Sequence, residues 1–305
     1  MALLTRRRFL QGAGGLALSS FGLGSYAFAL EPGYMLDITS YQVLPRRWTP
    51  GLTLRVGVIA DLHACEPWMG PARIRRIAET VNAMKADMIV LLGDFNGGQR
   101  IASRPVYPDQ WAEALSILRA PLGVYAILGN HDFWHGPLPG MPSGDGEPIR
   151  AGLRKAGIRL LENDALRLTK DGKPFWIAGL ADQIAHWKSH AISQPLDDLP
   201  GTLRQVSDDA PLLLLAHEPY IYRHLTDRVS LTLCGHTHGG QVKLPVLGPV
   251  AAAYRFGPDL VYGLVGDENR QMIISAGLGT SGLPVRFMRP PELVHVTIGA
   301  PPPIA

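Results

Sequence analysis

His236 and His238 lie one residue apart in the stretch LCGHTHGGQV (233–242), behind an apolar run and flanked by Gly235, Gly239 and Gly240. Imidazole is the commonest protein metal ligand. In extended backbone, residues i and i+2 face the same side, so both rings could look into one cleft. The stretch also reads as a polar turn behind a buried strand, and the pair alone does not decide. Four other apolar runs end in the same way. VIADLHA closes with Asp61 and His63, VLLGDFN with Asp94, AILGNHDF with Asn130, His131 and Asp132, and LLLAHEP with His217. Each residue singly has an ordinary reading, as a helix cap or a satisfied polar group. Jointly they do not: five of the ten histidines fall in these motifs, and the convergence points to a metal site.

Something must hold five such tips together. The runs LRVGVIA (54–60), DMIVLL (87–92), GVYAIL (123–128), FWIAGL (175–180), PLLLLA (211–216) and SLTLC (230–234) read as strands covered on both faces. Between the first two, Ile74, Ile77, Ala78, Val81 and Met84 recur at helical spacing behind Pro71. Residues 109–120 read as a second helix, IRAGLRKAG as a third, and IRLLEND as extended. A Gly- and Pro-rich loop is expected at 136–148. The last third is strand and turn, with QMIISAG and ELVHVTI as strands. Strands alternating with helices predict a layered α/β fold, and ligands in such folds gather at the carboxyl ends of strands. No linker divides the chain after its leader.

The 305 residues carry a formal net charge of +3, but Arg6, Arg7 and Arg8 supply it. Without residues 1–29, 26 bases balance 26 acids, so the charge indicates no nucleic-acid partner. The leader joins those arginines to a Gly-rich apolar run and a small-residue site, Ala27-Phe28-Ala29. Thr5-Arg6-Arg7-Arg8-Phe9-Leu10 resembles a twin-arginine export signal. The expectation is a signal peptide over 1–29 that engages the twin-arginine translocase and is cleaved, in preference to an uncleaved inner-membrane anchor. An N-terminal extension (30–51) and a tail (299–305) then flank the main domain. Cys65 and Cys234 form no disulfide framework and are expected to be bystander thiols.

D-x-H, G-D, G-N-H-D, H and G-H-T-H, in this order over residues 52–298, resemble the calcineurin-like metallophosphoesterase superfamily. DLHA, GLGTSGLPVRF and GHTHGGQV resemble its exported bacterial branch. The resemblance implies a four-layer αββα sandwich with two divalent metal ions at the strand tips. It implies Asp61, His63 and His238 on the first ion, Asn130, His217 and His236 on the second, and Asp94 bridging both. It leaves His131 as the catalytic residue, touching the transition state or protonating the leaving group. Nitrogen and oxygen ligands suit Mn, Fe or Zn. Two cations sharing a carboxylate bring a bridging water to a pKa of about 7 or below. In several members a second acid after G-D orients the catalytic histidine; here Asn96 stands there, and Asp132 either takes that role or shapes the turn.

The implied function is an exported two-metal hydrolase of phosphoric esters, diesters above monoesters, on a substrate of lipid or cell-envelope origin. The alternatives are a UDP-2,3-diacylglucosamine-type lipid pyrophosphatase and, in a different class, a metal-poor binding scaffold. Arg286 is expected in a surface salt bridge sooner than on a phosphate. Trp68, Phe133 and Trp134 are expected in ordinary packing sooner than in an apolar mouth.

Overall fold

The computed structural model describes residue 14 and residues 18–134, 144–186, 195–250 and 258–299. The leader arginines, part of the expected 136–148 loop and all but the first residue of the tail lie outside the described residues.

Two six-stranded sheets form the centre. The first contains β1 (Asp37–Val43), β2 (Leu54–Ile59), β3 (Met88–Leu92), β4 (Val124–Ile127), β5 (Arg159–Leu160) and β12 (Glu292–Ile298), in the order β1-β12-β2-β3-β4-β5. The second contains β6 (Asp164–Lys170), β7 (Lys173–Gly179), β8 (Leu212–Leu215), β9 (Leu231–Cys234), β10 (Gly263–Gly266) and β11 (Gln271–Ile274), in the order β10-β11-β9-β8-β7-β6. β2, β3 and β4 run parallel, as do β7, β8, β9 and β11.

Strand pleating explains the continuous apolar runs. Ile59, Ile89 and Leu91 face the helices α1 (Pro71–Ala83), α2 (Pro108–Leu115) and α3 (Glu147–Lys155). Their neighbours Val58, Met88 and Val90 face the second sheet, where they meet Leu213, Leu215 and Leu233. Leu212 and Leu214 face outward again, under Leu199 of the short helix α4 (Leu199–Arg204) and Ile221 of a 3-10 turn (Pro219–His224). Successive residues of one strand therefore feed different cores, and every position must be apolar. The layers are α, β, β, α, as the sequence implies.

α1 begins with Pro71 at its first turn, where the missing N–H costs nothing. Ile74, Ile77, Ala78 and Val81 form its buried stripe. Two features differ from expectation. IRLLEND is broken at Asn163, whose φ of 54° separates β5 from β6. The 30–51 extension contributes edge strand β1, parallel to β12 from Asp37↔Glu292 to Val43↔Ile298. Its alternation is faint because one face is open, and its partner lies at the far end of the chain.

A candidate binuclear metal centre

Asp61 and His63 follow β2, Asp94 follows β3, and Asn130 and His131 follow β4; His217 follows β8, and His236 and His238 follow β9. The five loops meet over the carboxyl ends of their strands. Asp61, His63, Asp94, His236 and His238 all have positive φ, from 44° to 71°. Such backbone is costly for non-glycine residues and is kept where a site dictates direction. Glycines make room for it. A Cβ on Gly129 would sit 2.4 Å from Asp94 Oδ1 and 2.6 Å from His217 Cε1. One on Gly277 would sit 2.6 Å from Asp61 Oδ2.

Two sets of donors share Asp94. Asp61, His63, Asp94 and His238 present ligand atoms within 4.8 Å of one another, as do Asp94, His217 and His236. Asp94 Oδ2 stands 3.4 Å from His63 Nε2 and 3.2 Å from His217 Nε2. Each ring is fixed from behind: His63 Nδ1 lies 3.0 Å from the Asn96 carbonyl and His217 Nδ1 2.6 Å from the Leu92 carbonyl. Those carbonyls only accept, so each Nδ1 carries the proton and each Nε2 turns its other side to the carboxylate. Asn130 Oδ1 lies 2.9 Å from His236 Nδ1, which brings the amide to the second set.

The cluster is buried, and its electrostatics favour a cation. Burial holds the His63 and His238 rings below the usual imidazole range, His238 well below, so both stay neutral. Their Nε2 atoms approach to 3.1 Å. Burial would lower His217 too, but Asp94 carries it well above the ordinary value. The close approach of the His63 and His238 Nε2 atoms needs a proton or a cation between them. Burial and the charge of Asp94 push Asp61 up to about 7, and its Oδ2 has no hydrogen-bond partner. An unpaired buried oxygen costs about 1–3 kcal/mol, which coordination offsets. Imidazole nitrogens, carboxylates and one amide suit divalent Mn, Fe or Zn, and a bound cation would take the place of the proton that Asp94 favours on His217. Cys65 and Cys234 are buried, and neither enters a donor set.

His131 stands at the edge of the first set, its ring centroid 4.8 Å from that of His63. Its backbone N–H donates to Asp94 Oδ1 over 2.8 Å. Its Nε2 lies 3.2 Å from the hydroxyl oxygen of Ser281. Ser281 is held in turn by Gln241, whose amide oxygen accepts from the Ser281 N–H and whose amide nitrogen donates to its carbonyl. The sequence reading missed Ser281; the signal was the polar pair inside GLGTSG, three residues past the glycine that abuts Asp61. Asp132 does not orient His131. Its carboxylate accepts from the backbone N–H of Asp94, Phe95, Asn96 and Gly129, tying two ligand loops together.

Arg286 corrects both sequence readings. It is fully buried, in no surface salt bridge and away from solvent. It donates to the carbonyls of Ala276, Gly277, Gly279, Arg289 and Pro290. The Gly-rich chain there follows no helix or sheet ladder, so its inward carbonyls need a donor, and one guanidinium supplies five. Phe133 packs in the core, and Trp68 donates to the Phe28 carbonyl. Trp134 packs against the same core and donates to the Ile184 carbonyl, with its ring 5.5 Å from that of His131. Asp182 and Glu218, also missed, form a buried carboxyl pair beside His217. Burial and the charge of Glu218 raise Asp182 well above the carboxylate range; burial also raises Glu218, against a hydrogen bond from Asp182 that holds it down, so the proton rests on Asp182 and is shared with Glu218.

The fold and the buried nitrogen-and-oxygen cluster describe a metal-dependent hydrolase. The family model described as calcineurin-like phosphoesterase matches residues 54–240, and the chain belongs to that family. It is 31% identical to the uncharacterized metallophosphoesterase YkuE of Bacillus subtilis, over 98% of this chain and 99% of that one. It is 30% identical to an uncharacterized metallophosphoesterase of Aquifex aeolicus, over 90% of this chain and 96% of that one. It is also 26% identical to the UDP-2,3-diacylglucosamine pyrophosphatase LpxG of Chlamydia muridarum, over 88% of this chain and 90% of that one. The protein is a metal-dependent phosphoric ester hydrolase.

Proposed function

We propose that the enzyme is an exported hydrolase of phosphodiesters that works with two divalent ions, Mn, Zn or Fe, and meets its substrate in the cell envelope. The observation that carries the two-ion reading is Asp94 Oδ2, placed between the inward nitrogens of His63 and His217. Asp61, His63 and His238 would hold one ion, and Asn130, His217 and His236 the other. When bound, such ions supply positive charge for the phosphate oxygens and an acidified water. The chain's own residues do the rest. His131 faces the same space and carries a proton to or from the ester oxygen. Ser281, itself held by Gln241, steadies the His131 ring. Asp132 keeps the two ligand loops in register. The twin-arginine pattern supports export, because that route carries proteins across after folding, with metal already in place.

The relative named as a UDP-2,3-diacylglucosamine pyrophosphatase favours a second reading, in which the ester is a nucleotide-linked lipid. A metal-poor binding scaffold is disfavoured, since all seven ligand positions hold suitable groups and their loops converge. The deciding experiment is a hydrolysis panel of monoesters, diesters and UDP-linked lipids with Mn, Zn or Fe added. The diester reading predicts the highest kcat/KM on diesters; preference for the UDP-lipid shifts the assignment, and no turnover with any metal overturns both.

A further inference from the structure

Residues 18–34 are continuously helical, and the lower half of this stretch is built into the catalytic body. Ala27 is buried, and its carbonyl accepts from the Arg286 N–H over 2.9 Å. The Phe28 carbonyl accepts from Trp68 Nε1 over 2.8 Å. Glu31 is fully buried and accepts from the N–H groups of Met288 and Arg289. Arg73 donates to the carbonyls of Pro32 and Met35. The small-residue site Ala27-Phe28-Ala29 thus sits inside a docked helix. Cutting there removes two backbone acceptors that the body uses.

The docked helix adjoins the mouth of the metal centre. The Tyr26 ring meets the Phe287 ring edge-on at 6.1 Å. Phe287 exchanges backbone hydrogen bonds with Gln241 and Lys243, and Gln241 grips Ser281 beside His131. Exposed apolar groups collect on these segments. Of the 17 large apolar side chains exposed among the described residues, seven belong to residues 18–35. Six more, Ile101, Val246, Leu247, Val250, Leu283 and Met288, lie on segments tied to Gln241 and Phe287: Val250 donates to the Val242 carbonyl, Val242 bridges to Phe287, and the Leu283 carbonyl accepts from Gln241. Leu18, Phe21 and Leu247 are 76%, 75% and 79% exposed, which water penalises.

What covers this surface follows from the chain above it. No charge occurs in the 22 residues from Phe9 to Leu30, and Arg6, Arg7 and Arg8 stand directly before them. An uncharged apolar segment behind a cationic cluster suits acyl chains beneath anionic headgroups. Among the described residues no helix is long and apolar enough to cross a membrane. The exposed apolar side chains of the docked helix and of the 246–250 turn fit a seat on the bilayer surface. We propose that residues 18–35 stay with the folded enzyme and, together with the apolar rim at 246–250, seat the mouth of the metal centre on an anionic lipid bilayer. The metal centre then works within reach of esters borne on the same bilayer, whatever their headgroup.

The test uses the full chain, extracted in detergent from the cell that makes it, and two readouts. Intact mass and N-terminal sequencing are expected to find residues 18–35 retained. Flotation with vesicles of phosphatidylglycerol and phosphatidylethanolamine is expected to carry the protein, and pure phosphatidylcholine vesicles to carry less. Val246→Asp with Leu247→Asp is expected to weaken partitioning roughly tenfold or more, each change replacing an exposed apolar chain that the bilayer would bury, while hydrolysis of soluble bis(p-nitrophenyl) phosphate stays at the parent rate. A chain beginning at Leu30 overturns the proposal. So does flotation unchanged in the double variant, or a detergent-free dimer that the same changes dissolve, which would make the face a self-interface.

Discussion

His217 Nε2 stands 3.2 Å from Asp94 Oδ2, with the opposite nitrogen of the ring pinned to the Leu92 carbonyl. His63 approaches the same oxygen at 3.4 Å from the other donor set. Asp94→Asn replaces that oxygen's charge with a neutral amide, which bridges two cations poorly. The expected result is loss of hydrolysis on every substrate and a fall in metal content, read by turnover assays and elemental analysis. Near-normal turnover with both ions bound would remove the bridging role.

His131→Ala separates chemistry from metal binding. Asn130, not His131, reaches the second donor set, so metal content is expected to stay near the parent value. kcat is expected to fall roughly 10²–10⁴-fold for esters with poor leaving groups. The loss shrinks for p-nitrophenolate, which departs without a proton. Equal losses across leaving groups of graded pKa would assign His131 to the phosphate instead.

Ser281→Ala tests the hydroxyl as the group that holds the His131 ring. A neutral hydrogen bond is worth about 0.5–1.5 kcal/mol, so kcat is expected to drop about two- to tenfold. The drop should follow the leaving-group pattern of His131→Ala, with metal affinity and KM unchanged. A drop in KM or metal affinity alone would place Ser281 elsewhere in the reaction.

Gly129→Ala adds one methyl where a Cβ falls 2.4 Å from Asp94 Oδ1. The methyl must displace the carboxylate or the His217 ring. Hydrolysis is expected to fall by 10²-fold or more, on the scale of an ångström of misplacement, with an unchanged far-UV spectrum. Activity within twofold of the parent would show that the loop yields freely.

Arg286→Met removes a guanidinium that serves five carbonyls, three of them, on Ala276, Gly277 and Gly279, buried. Unpaired buried acceptors cost about 1–3 kcal/mol each, so the variant is expected to lose at least about 3 kcal/mol in urea unfolding. The loop it braces abuts Asp61, so metal affinity is expected to fall in parallel. Arg286→Lys recovers part of both, having three donors without the planar fork. A stable, fully metallated Met variant would contradict the bracing role.

These outcomes bear on what the sequence discloses. The α, β, β, α layering was legible because a strand buried on both faces has to be apolar throughout, as Met88–Leu92 is. The convergence of the seven candidate ligand positions was legible because each follows such a run with a group that burial alone would not select. Edge strand Asp37–Val43 was not, since its partner lies some 250 residues away and half its side chains face water. Arg286 was misread because a charged residue in a loop looks solvated unless the carbonyls turned toward it are known. Ser281, Asp182 and Glu218 carry no spacing signal, and only the folded chain brings them to the histidines.

Anomalous diffraction from crystals loaded with Mn or Zn tests the central claim most directly. Two peaks are predicted on either side of Asp94 Oδ2, one within bonding reach of Asp61, His63 and His238 and the other of Asn130, His217 and His236. A single peak, or a peak held by Asp182 and Glu218 in place of Asp94, would contradict it.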